Sequence, residues 1–278
     1  MTARTVCLTI LLALVSPNLG TAGGVAVLIS REIPPYVSMV EGLEQGLGAQ
    51  PVDRYFLDKQ GLPYSLGVGG GKFDAEQYDA LVAVGPAALR YLDTNTSQTP
   101  LLFGMVLNPQ KILTDSAAMS CGVTLNLPVA EQLSALLDHF PDMARLGVLF
   151  DPANNQSWYD DAVQVAESLE VELVSLQVQR EAGRLKILGK FSDVDAILFI
   201  PDKTIISKAV IQHVIKRALQ QRIPVVGYNQ FFYDSGATLA FIIDYRKVGQ
   251  QVAGKIDTIL NGGYCDPLSP AAFDVKIN

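Results

Sequence analysis

A strand–helix–strand pattern that occurs twice constrains the fold more than any other feature of this sequence. In its clearer copy, residues 195–200 form a continuous aliphatic run that Pro201 ends, and apolar residues then recur at helical spacing before a second run at 223–228. A strand that is apolar along its whole length is typical of a parallel sheet covered by helices on both faces. The pattern therefore predicts a strand, a helix that Asp202 or Thr204 can cap, and a second strand.

The same pattern occurs earlier, at residues 78–104, where an aliphatic run ends at Gly85, a short helical segment follows and a second strand begins after Pro100. Two further runs, 24–30 and 145–151, resemble each other, and each precedes one copy of the pattern. We therefore predict an α/β fold with two Rossmann-like lobes, each containing a parallel sheet. Because ligands of such sheets bind outside the carboxyl ends of the strands, a cleft between the lobes is expected to hold a small molecule.

These repeats suggest an order of domains. Residues 1–23 have a basic residue, a short apolar run and small residues at the end, as in a secretory signal peptide. A membrane anchor is the alternative, but the run is shorter than the ~20 residues that span a bilayer. Residues 24–122 are expected to form the N-terminal lobe and 123–244 the C-terminal lobe. Residues 245–278 are expected to hold the last helix of the C-terminal lobe and a return crossing. We expect a soluble, exported protein, periplasmic where the cell has an outer membrane.

Charge and cysteine content exclude several classes of function. The chain of 278 residues has a net charge of −7, which disfavours binding to nucleic acid or to an anionic membrane. Two histidines and three cysteines without a CxxC motif give little support to a metal or redox cofactor, and none is predicted. After signal cleavage Cys121 and Cys265 remain. Export permits a disulfide between them, but two unpaired cysteines are the favoured expectation.

Several polar or small residues follow the predicted strands and are candidates for the cleft. Most have a second explanation in local structure: Asn108 can start a turn, one of Asn155 and Ser157 can cap a helix, and Trp158 is expected to pack against the sheet. Asp202 and Asp244 could act as paired carboxylates in an exported hydrolase, but helix capping explains both with fewer assumptions. The candidate ligand-binding residues are Ser30, Gly85, Asn108, Asn155, Ser157, Asp202, Tyr228 and Asp244.

Six segments carry a resemblance to a known family: residues 78–88, 108–109, 141–151, 194–204, 223–225 and 236–249. Taken together, they resemble the substrate-binding proteins of ABC transporters, in particular the family with tryptophan- and tyrosine-binding members. The resemblance implies a type I periplasmic binding fold. By position it implies that Gly85, Asn108, Asn155, Asp202 and Asp244 line the cleft. That family usually has Thr at the position of Gly85 and Asp at that of Asn108.

The leading hypothesis is an exported solute-binding protein, not an enzyme. It would capture an amino-acid-like or other small organic solute between its lobes and, as a monomer, deliver it to an ABC permease in the membrane. Closure of the lobes would require ligand contacts with both of them, since a ligand with equal affinity for the open and closed forms does not shift the equilibrium between these forms. A periplasmic module that reports to a sensor protein is the alternative, and an exported hydrolase is a third hypothesis.

Overall fold

A computed structural model describes residues 23–65, 73–95, 98–114, 120–181, 184–187 and 190–278. The first 22 residues of the predicted signal peptide lie outside the described residues. Within the described ranges, no helix has both the length and the apolar character that a bilayer-spanning segment needs.

The strands and helices alternate along most of the chain. The strands are β1 (Val25–Ile29), β2 (Val52–Leu57), β3 (Pro63–Tyr64), β4 (Ala80–Val84), β5 (Leu101–Val106), β6 (Ser120–Thr124), β7 (Arg145–Phe150), β8 (Glu172–Glu181), β9 (Arg184–Ile187), β10 (Ala196–Phe199), β11 (Val225–Gly227), β12 (Leu239–Ile243), β13 (Leu268–Pro270) and β14 (Phe273–Ile277). The α-helices are α1 (Pro34–Leu47), α2 (Pro86–Asn95), α3 (Val129–His139), α4 (Pro152–Glu167), α5 (Lys208–Gln220), α6 (Gln230–Asp234) and α7 (Tyr245–Leu260).

The strands form two seven-stranded sheets, one in each lobe. The first has the order β13-β6-β5-β4-β1-β2-β3, and the second has the order β14-β12-β11-β10-β7-β8-β9. Most neighbours are parallel; β3, β9 and β14 pair antiparallel with their partners at sheet edges. The predicted α/β fold with two Rossmann-like lobes is confirmed.

The helices cover both faces of each sheet, because alternate residues of the buried strands point to opposite sides. In β1, Val25 and Val27 belong to the core under α1 and α7, whereas Ala26 and Leu28 belong to the core under α2. In the second lobe, one face packs against α5 and α6 and the other against α3 and α4. Each lobe therefore has two apolar layers, and the sheet between them is buried on both sides.

The chain passes between the lobes at three places: residues 125–128, residue 244 and residues 271–272. Two of the sequence-based boundaries differ from this. Position 122 lies inside β6, a strand of the first sheet, so the first crossing comes later than expected. The final segment also does more than return to the first lobe, since β13 joins the first sheet and β14 then crosses back to the second.

The assignment of the last helix to the C-terminal lobe is wrong. Helix α7 packs along α1, and its apolar residues belong to the core of the first lobe. Glycines permit this close approach: a Cβ at Gly249 would lie 2.0 Å from the carbonyl oxygen of Met39, and one at Gly42 would lie 2.0 Å from that of Arg246. The second crossing, at residue 244, therefore returns the chain to the first lobe before α7 begins.

The expectation of two free thiols is also wrong, because Cys121 and Cys265 form a disulfide with a Cα–Cα distance of 6.1 Å. The bridge joins β6 to the segment between α7 and β13, inside the first lobe. Since the two residues are 144 positions apart, spacing alone gave no sign that they meet. Export, which the sequence suggests, would be compatible with such a bridge.

Candidate functional site

The carboxyl ends of the parallel strands of both lobes face a common gap, and two adjoining cavities occupy it. The inner cavity has a volume of about 230 Å³. Its lining comes from the ends of β5, β10, β11 and β12, the first crossing and three helices. It consists of Leu107, Leu125, Asn126, Leu127, Gln132, Trp158, Ile200, Pro201, Tyr228, Asn229, Ile243 and Tyr245. Apolar and aromatic side chains thus form most of its wall, as in typical small-molecule sites.

The outer cavity also has a volume of about 230 Å³ and shares Leu107, Asn126, Trp158, Ile200 and Pro201 with the inner one. Its remaining lining is more polar and comes from both lobes: Asn108, Gln110, Lys111, Asn154, Asn155, Ser157 and Asp161. Several of these side chains are exposed, whereas those that line only the first cavity are buried or half-buried, and the names inner and outer refer to this difference. The two cavities together form one pocket with an apolar inner part and a polar outer part, to which both lobes contribute.

Asp202 is buried, with 4% of its surface exposed, and organises the strand ends of the second lobe. One carboxylate oxygen accepts hydrogen bonds from the backbone N–H of Asp151 (2.8 Å) and the side-chain amide of Asn155 (2.7 Å). The other accepts from the N–H of Thr204 (2.8 Å), whose hydroxyl donates to the Asp151 carboxylate (2.6 Å). These neutral donors compensate the burial of the carboxylate, so Asp202 fixes the loop that carries Asn155 and Pro201 to the cavities.

Two expectations about helix caps are wrong. Helix α5 is capped by Ser207, not by Asp202 or Thr204, because residues 201–206 form a separate turn before it starts. Helix α4 is capped by Asp151 rather than by Asn155 or Ser157, since it begins at Pro152. Asn155 instead has a non-helical φ of −132° within α4, and both it and Ser157 line the outer cavity.

Tyr228, directly after β11, lines the inner cavity. Burial and the nearby charge of Asp202 raise the pKa of its phenol to about 12. Burial likewise raises the pKa of Tyr245, at the start of α7. Both hydroxyls therefore stay protonated at physiological pH and can donate a hydrogen bond.

Asn108 combines both of the roles considered for it. It has a left-handed backbone conformation (φ 49°) and precedes a short turn of 3₁₀-helix. Its side chain lines the outer cavity and pairs with Asn126, whose amide donates to Asn108 Oδ1 (2.9 Å) and whose Oδ1 accepts from the Asn108 N–H (2.6 Å). This pair connects the end of β5 to the first crossing.

Ser30 and Gly85 lie at strand ends of the first lobe, where other groups cover them. Ser30 is buried, and its hydroxyl accepts a hydrogen bond from the N–H of Ala88 (2.8 Å), in the first turn of α2. Gly85 has a φ of +87° and lies beneath the ring of Tyr36, since a Cβ there would be 2.6 Å from the Tyr36 hydroxyl. Neither residue lines the inner or the outer cavity.

Asp244 stands at the second crossing and caps α7 by accepting hydrogen bonds from the backbone N–H groups of Arg246 (3.0 Å) and Lys247 (3.2 Å). The other crossings are held by glutamines. Gln132 donates to the carbonyl of Leu127 (2.9 Å), and Gln251 binds the third crossing at both Pro270 and Ala272. One side chain therefore fixes each crossing to an adjacent helix.

Sequence reasoning missed cavity residues that lie on helices or on the first crossing. Gln132 is a buried polar residue on the apolar side of α3, beside Leu133, and that signal could have identified it. Tyr245 and Asn126 gave no comparable signal, because their positions depend on where the chain crosses. Trp158 packs against the core as expected, and it also lines both cavities. Among the described residues, no three His, Cys, Asp or Glu side chains are placed to share a metal ion.

Two lobes of mainly parallel sheet, three crossings and a cavity at the strand ends define a type I periplasmic binding fold. Solved structures with this architecture match nearly the whole chain. A ligand-free, open substrate-binding protein with adhesive properties from Clostridium difficile has a TM-score of 0.69 and 18% identity, with 92% of each chain covered.

An ABC domain in complex with L-Trp from Streptococcus pneumonia has a TM-score of 0.56 and 17% identity, with coverage of 93% of this chain and 92% of the other. A conserved domain protein from Vibrio cholerae has a TM-score of 0.54 and 22% identity, with 92% of each chain covered. None of the curated proteins compared with the chain matches it.

The family model described as ABC transporter substrate binding protein matches residues 24–275. The chain therefore belongs to the family of ABC transporter substrate-binding proteins, and the resemblance noted in the sequence is confirmed.

Proposed function

We propose that this protein is exported, captures a small organic solute between its two lobes as a monomer and delivers it to an ABC permease. The observation that carries this proposal is the pair of adjoining cavities, which both lobes and the first crossing line. The solute is amino-acid-like or another small organic molecule. Binding, rather than catalysis, fits the carboxylates, because Asp202 and Asp244 already accept hydrogen bonds from backbone N–H groups of their own loops.

Closure would follow from differential contact with the two lobes. A solute in the outer cavity can contact Asn108 of the first lobe and Asn155 of the second at the same time. Such contacts exist only when the lobes are near each other, so the solute favours the closed form by the free energy of those contacts. A micromolar affinity corresponds to about −8 kcal/mol, which a few buried hydrogen bonds and an apolar wall can supply.

Capture of a solute is tested in two steps. Native mass spectrometry of gently purified protein identifies a co-purified molecule by its mass, and calorimetric titration then measures the affinity for that molecule. Small-angle scattering should show a smaller radius of gyration on ligand addition. Trp158→Ala, which removes a wall of both cavities, should weaken binding about 10- to 100-fold, whereas His213→Ala on the exposed side of α5 should not. A protein that neither binds a small molecule nor changes its dimensions would contradict the proposal.

Uptake of the solute by cells tests its delivery to the permease, and the N-terminus of the mature protein tests export. Deletion of the gene should abolish uptake of the labelled solute, and the mature N-terminus should lie near residue 24. If uptake persists while transcription stops responding to the solute, the protein reports to a sensor instead. Light scattering of the purified protein should give the mass of one chain.

A further inference from the structure

The inner cavity presents hydrogen-bonding groups that carry no charge. Gln132 uses one amide hydrogen on the carbonyl of Leu127, which leaves its carbonyl oxygen and its second amide hydrogen without a partner among the described residues. The hydroxyls of Tyr228 and Tyr245 likewise have no hydrogen-bond partner there, and the Asn229 side-chain oxygen caps α6 while its amide group has none. These four side chains can offer donors and acceptors to a ligand, but no ionic partner.

Charged side chains near the inner cavity point elsewhere. Within the described part of the chain, no Asp, Glu, Lys, Arg or His lines it. Asp244 lies between two lining residues, yet its carboxylate accepts hydrogen bonds from the first turn of α7 and lies 4.0 Å from Lys247. Lys111 and Asp161 line only the outer cavity, and both are exposed, so solvent screens their charges.

The nearest buried charge is negative. Asp202 lies close enough to Tyr228 for its charge to raise the pKa of that phenol, and its own hydrogen bonds come from neutral donors. An anion in the inner cavity would therefore lose its hydration, find no cation and be repelled by Asp202. A zwitterion would lose the hydration of its carboxylate in the same way, whereas Asp202 and the aromatic rings of the wall would attract a cation. Anions and zwitterions are therefore disfavoured relative to an uncharged molecule of the same shape.

Three aromatic residues, Trp158, Tyr228 and Tyr245, form part of the wall, and leucine, isoleucine and proline side chains form most of the rest. Flat apolar groups pack well against such walls, with aromatic contacts worth more than their area alone. The inner cavity alone has a volume of about 230 Å³, below the range of roughly 300–1,000 Å³ typical of drug-sized ligands, so the part of the ligand that it holds is small.

We propose that the inner cavity selects an uncharged, flat molecule that carries amide or hydroxyl groups, and that it discriminates against free amino acids and against anions of similar size. This inference rests on the proposed function and narrows its ligand. Gln132, Tyr228, Asn229 and Tyr245 bind the polar groups of the ligand, and the apolar wall packs against its body.

Ligands that differ mainly in charge test the inference. After removal of any co-purified molecule by dialysis under partial unfolding, N-acetyltryptophanamide is compared by calorimetry with N-acetyltryptophan, its anionic near-isostere, and with zwitterionic tryptophan. Nicotinamide is compared with nicotinate, its anionic near-isostere. In each set the uncharged member should bind at least about tenfold more tightly.

Gln132→Lys places a cation in the inner cavity, where the ammonium can still donate to the carbonyl of Leu127. This variant should change the ratio of the dissociation constants of N-acetyltryptophanamide and N-acetyltryptophan about tenfold in favour of N-acetyltryptophan. Gln220→Lys, at the exposed end of α5, makes the same change in net charge and should leave the preference unaltered. If Gln132→Lys fails to fold, the comparison of ligands on the unmodified protein still decides the question.

The outcomes separate the two proposals. Charged members that bind as tightly as the uncharged ones, or more tightly, would overturn this inference and leave the proposed function intact. If no member of either set binds and no molecule co-purifies, the proposed function fails together with the inference.

Discussion

The two lobes share a strand–helix–strand pattern but end their corresponding strands differently. In the second lobe, the residues after β10 lead to buried Asp202, which accepts three hydrogen bonds and holds Pro201 and Asn155 against the cavities. In the first lobe, the residue after β4 is Gly85, and Tyr36 covers it. The lobe with the polar strand ends provides most of the pocket wall, whereas the other closes its strand ends with an aromatic ring. The two lobes therefore share a fold but contribute unequally to the ligand pocket.

The lobes also differ in how their chain segments are held together. The first lobe is assembled from distant segments, since α7, β13 and a disulfide all join it from the C-terminal part of the chain. The second lobe is continuous from α3 to β12 and takes only β14 from outside that range. We therefore expect the first lobe to depend on covalent and close helix contacts, and the second to depend on its buried polar network.

Removing the disulfide should have the largest effect. Because the bridge closes a loop between residues 144 positions apart, the variant with Cys121→Ala and Cys265→Ala should lose about 3–5 kcal/mol of unfolding free energy. Urea denaturation under non-reducing conditions measures this. Reductant should destabilise the unmodified protein by a similar amount and leave the double variant unaffected. Unchanged stability of the double variant would contradict the dependence of the first lobe on this bridge.

Asp202→Ala tests the network of the second lobe. It leaves the Asp151 and Thr204 N–H groups and the Asn155 amide without their acceptor, and should cost about 2–4 kcal/mol. Asp234→Ala, which removes an exposed carboxylate from the same lobe, should cost less than about 0.5 kcal/mol. Both values come from urea denaturation, and equal losses would show that burial of the Asp202 carboxylate has no special role.

Gly249→Ala tests the contact between α1 and α7. The added methyl group would meet the backbone of Met39 and Leu43, and the helices must separate, at a cost of about 1–3 kcal/mol. Gly254→Ala on the same helix meets nothing within 4 Å and should stabilise the protein by about 0.5–1 kcal/mol through helix propensity. Thermal unfolding of both variants checks the opposite signs, and a stabilising Gly249→Ala would rule out the tight contact.

Ser30→Ala should have the smallest effect of the four. Ser30 accepts a single hydrogen bond at the start of α2, so its loss should cost about 1 kcal/mol. The measured loss should be at most half of that for Asp202→Ala. A larger loss of unfolding free energy for Ser30→Ala than for Asp202→Ala would contradict the expectation that polar contacts at the strand ends matter more in the second lobe than in the first.

The sequence predicted the strands and helices well, because burial on both faces and helical periodicity are local properties. It could not assign α7 to a lobe. The apolar positions Val248, Val252 and Ile256 show that this helix has a buried face, but they do not show which core that face enters. The disulfide was missed for the same reason, since pairing depends on the distance between Cys121 and Cys265 in the folded chain.

For the site, the sequence identified strand ends but not the direction of the side chains. Ser30 and Asp202 both follow strands, yet each accepts hydrogen bonds from a neighbouring loop or helix instead of lining a cavity. Asn108, Asn155, Ser157 and Tyr228 do line the pocket. The difference depends on which backbone N–H groups lie within reach, and only the assembled lobes determine this.

The pairing of α1 with α7 has a consequence for the order in which the chain acquires structure during synthesis. Glu41 of α1 and Arg246 of α7 form an ion pair across 205 residues of sequence. A nascent chain that has emerged only as far as β6 therefore has an uncovered helix face and an unpaired Cys121. The first lobe therefore cannot be completed until α7 and β13, near the end of the chain, have been synthesised.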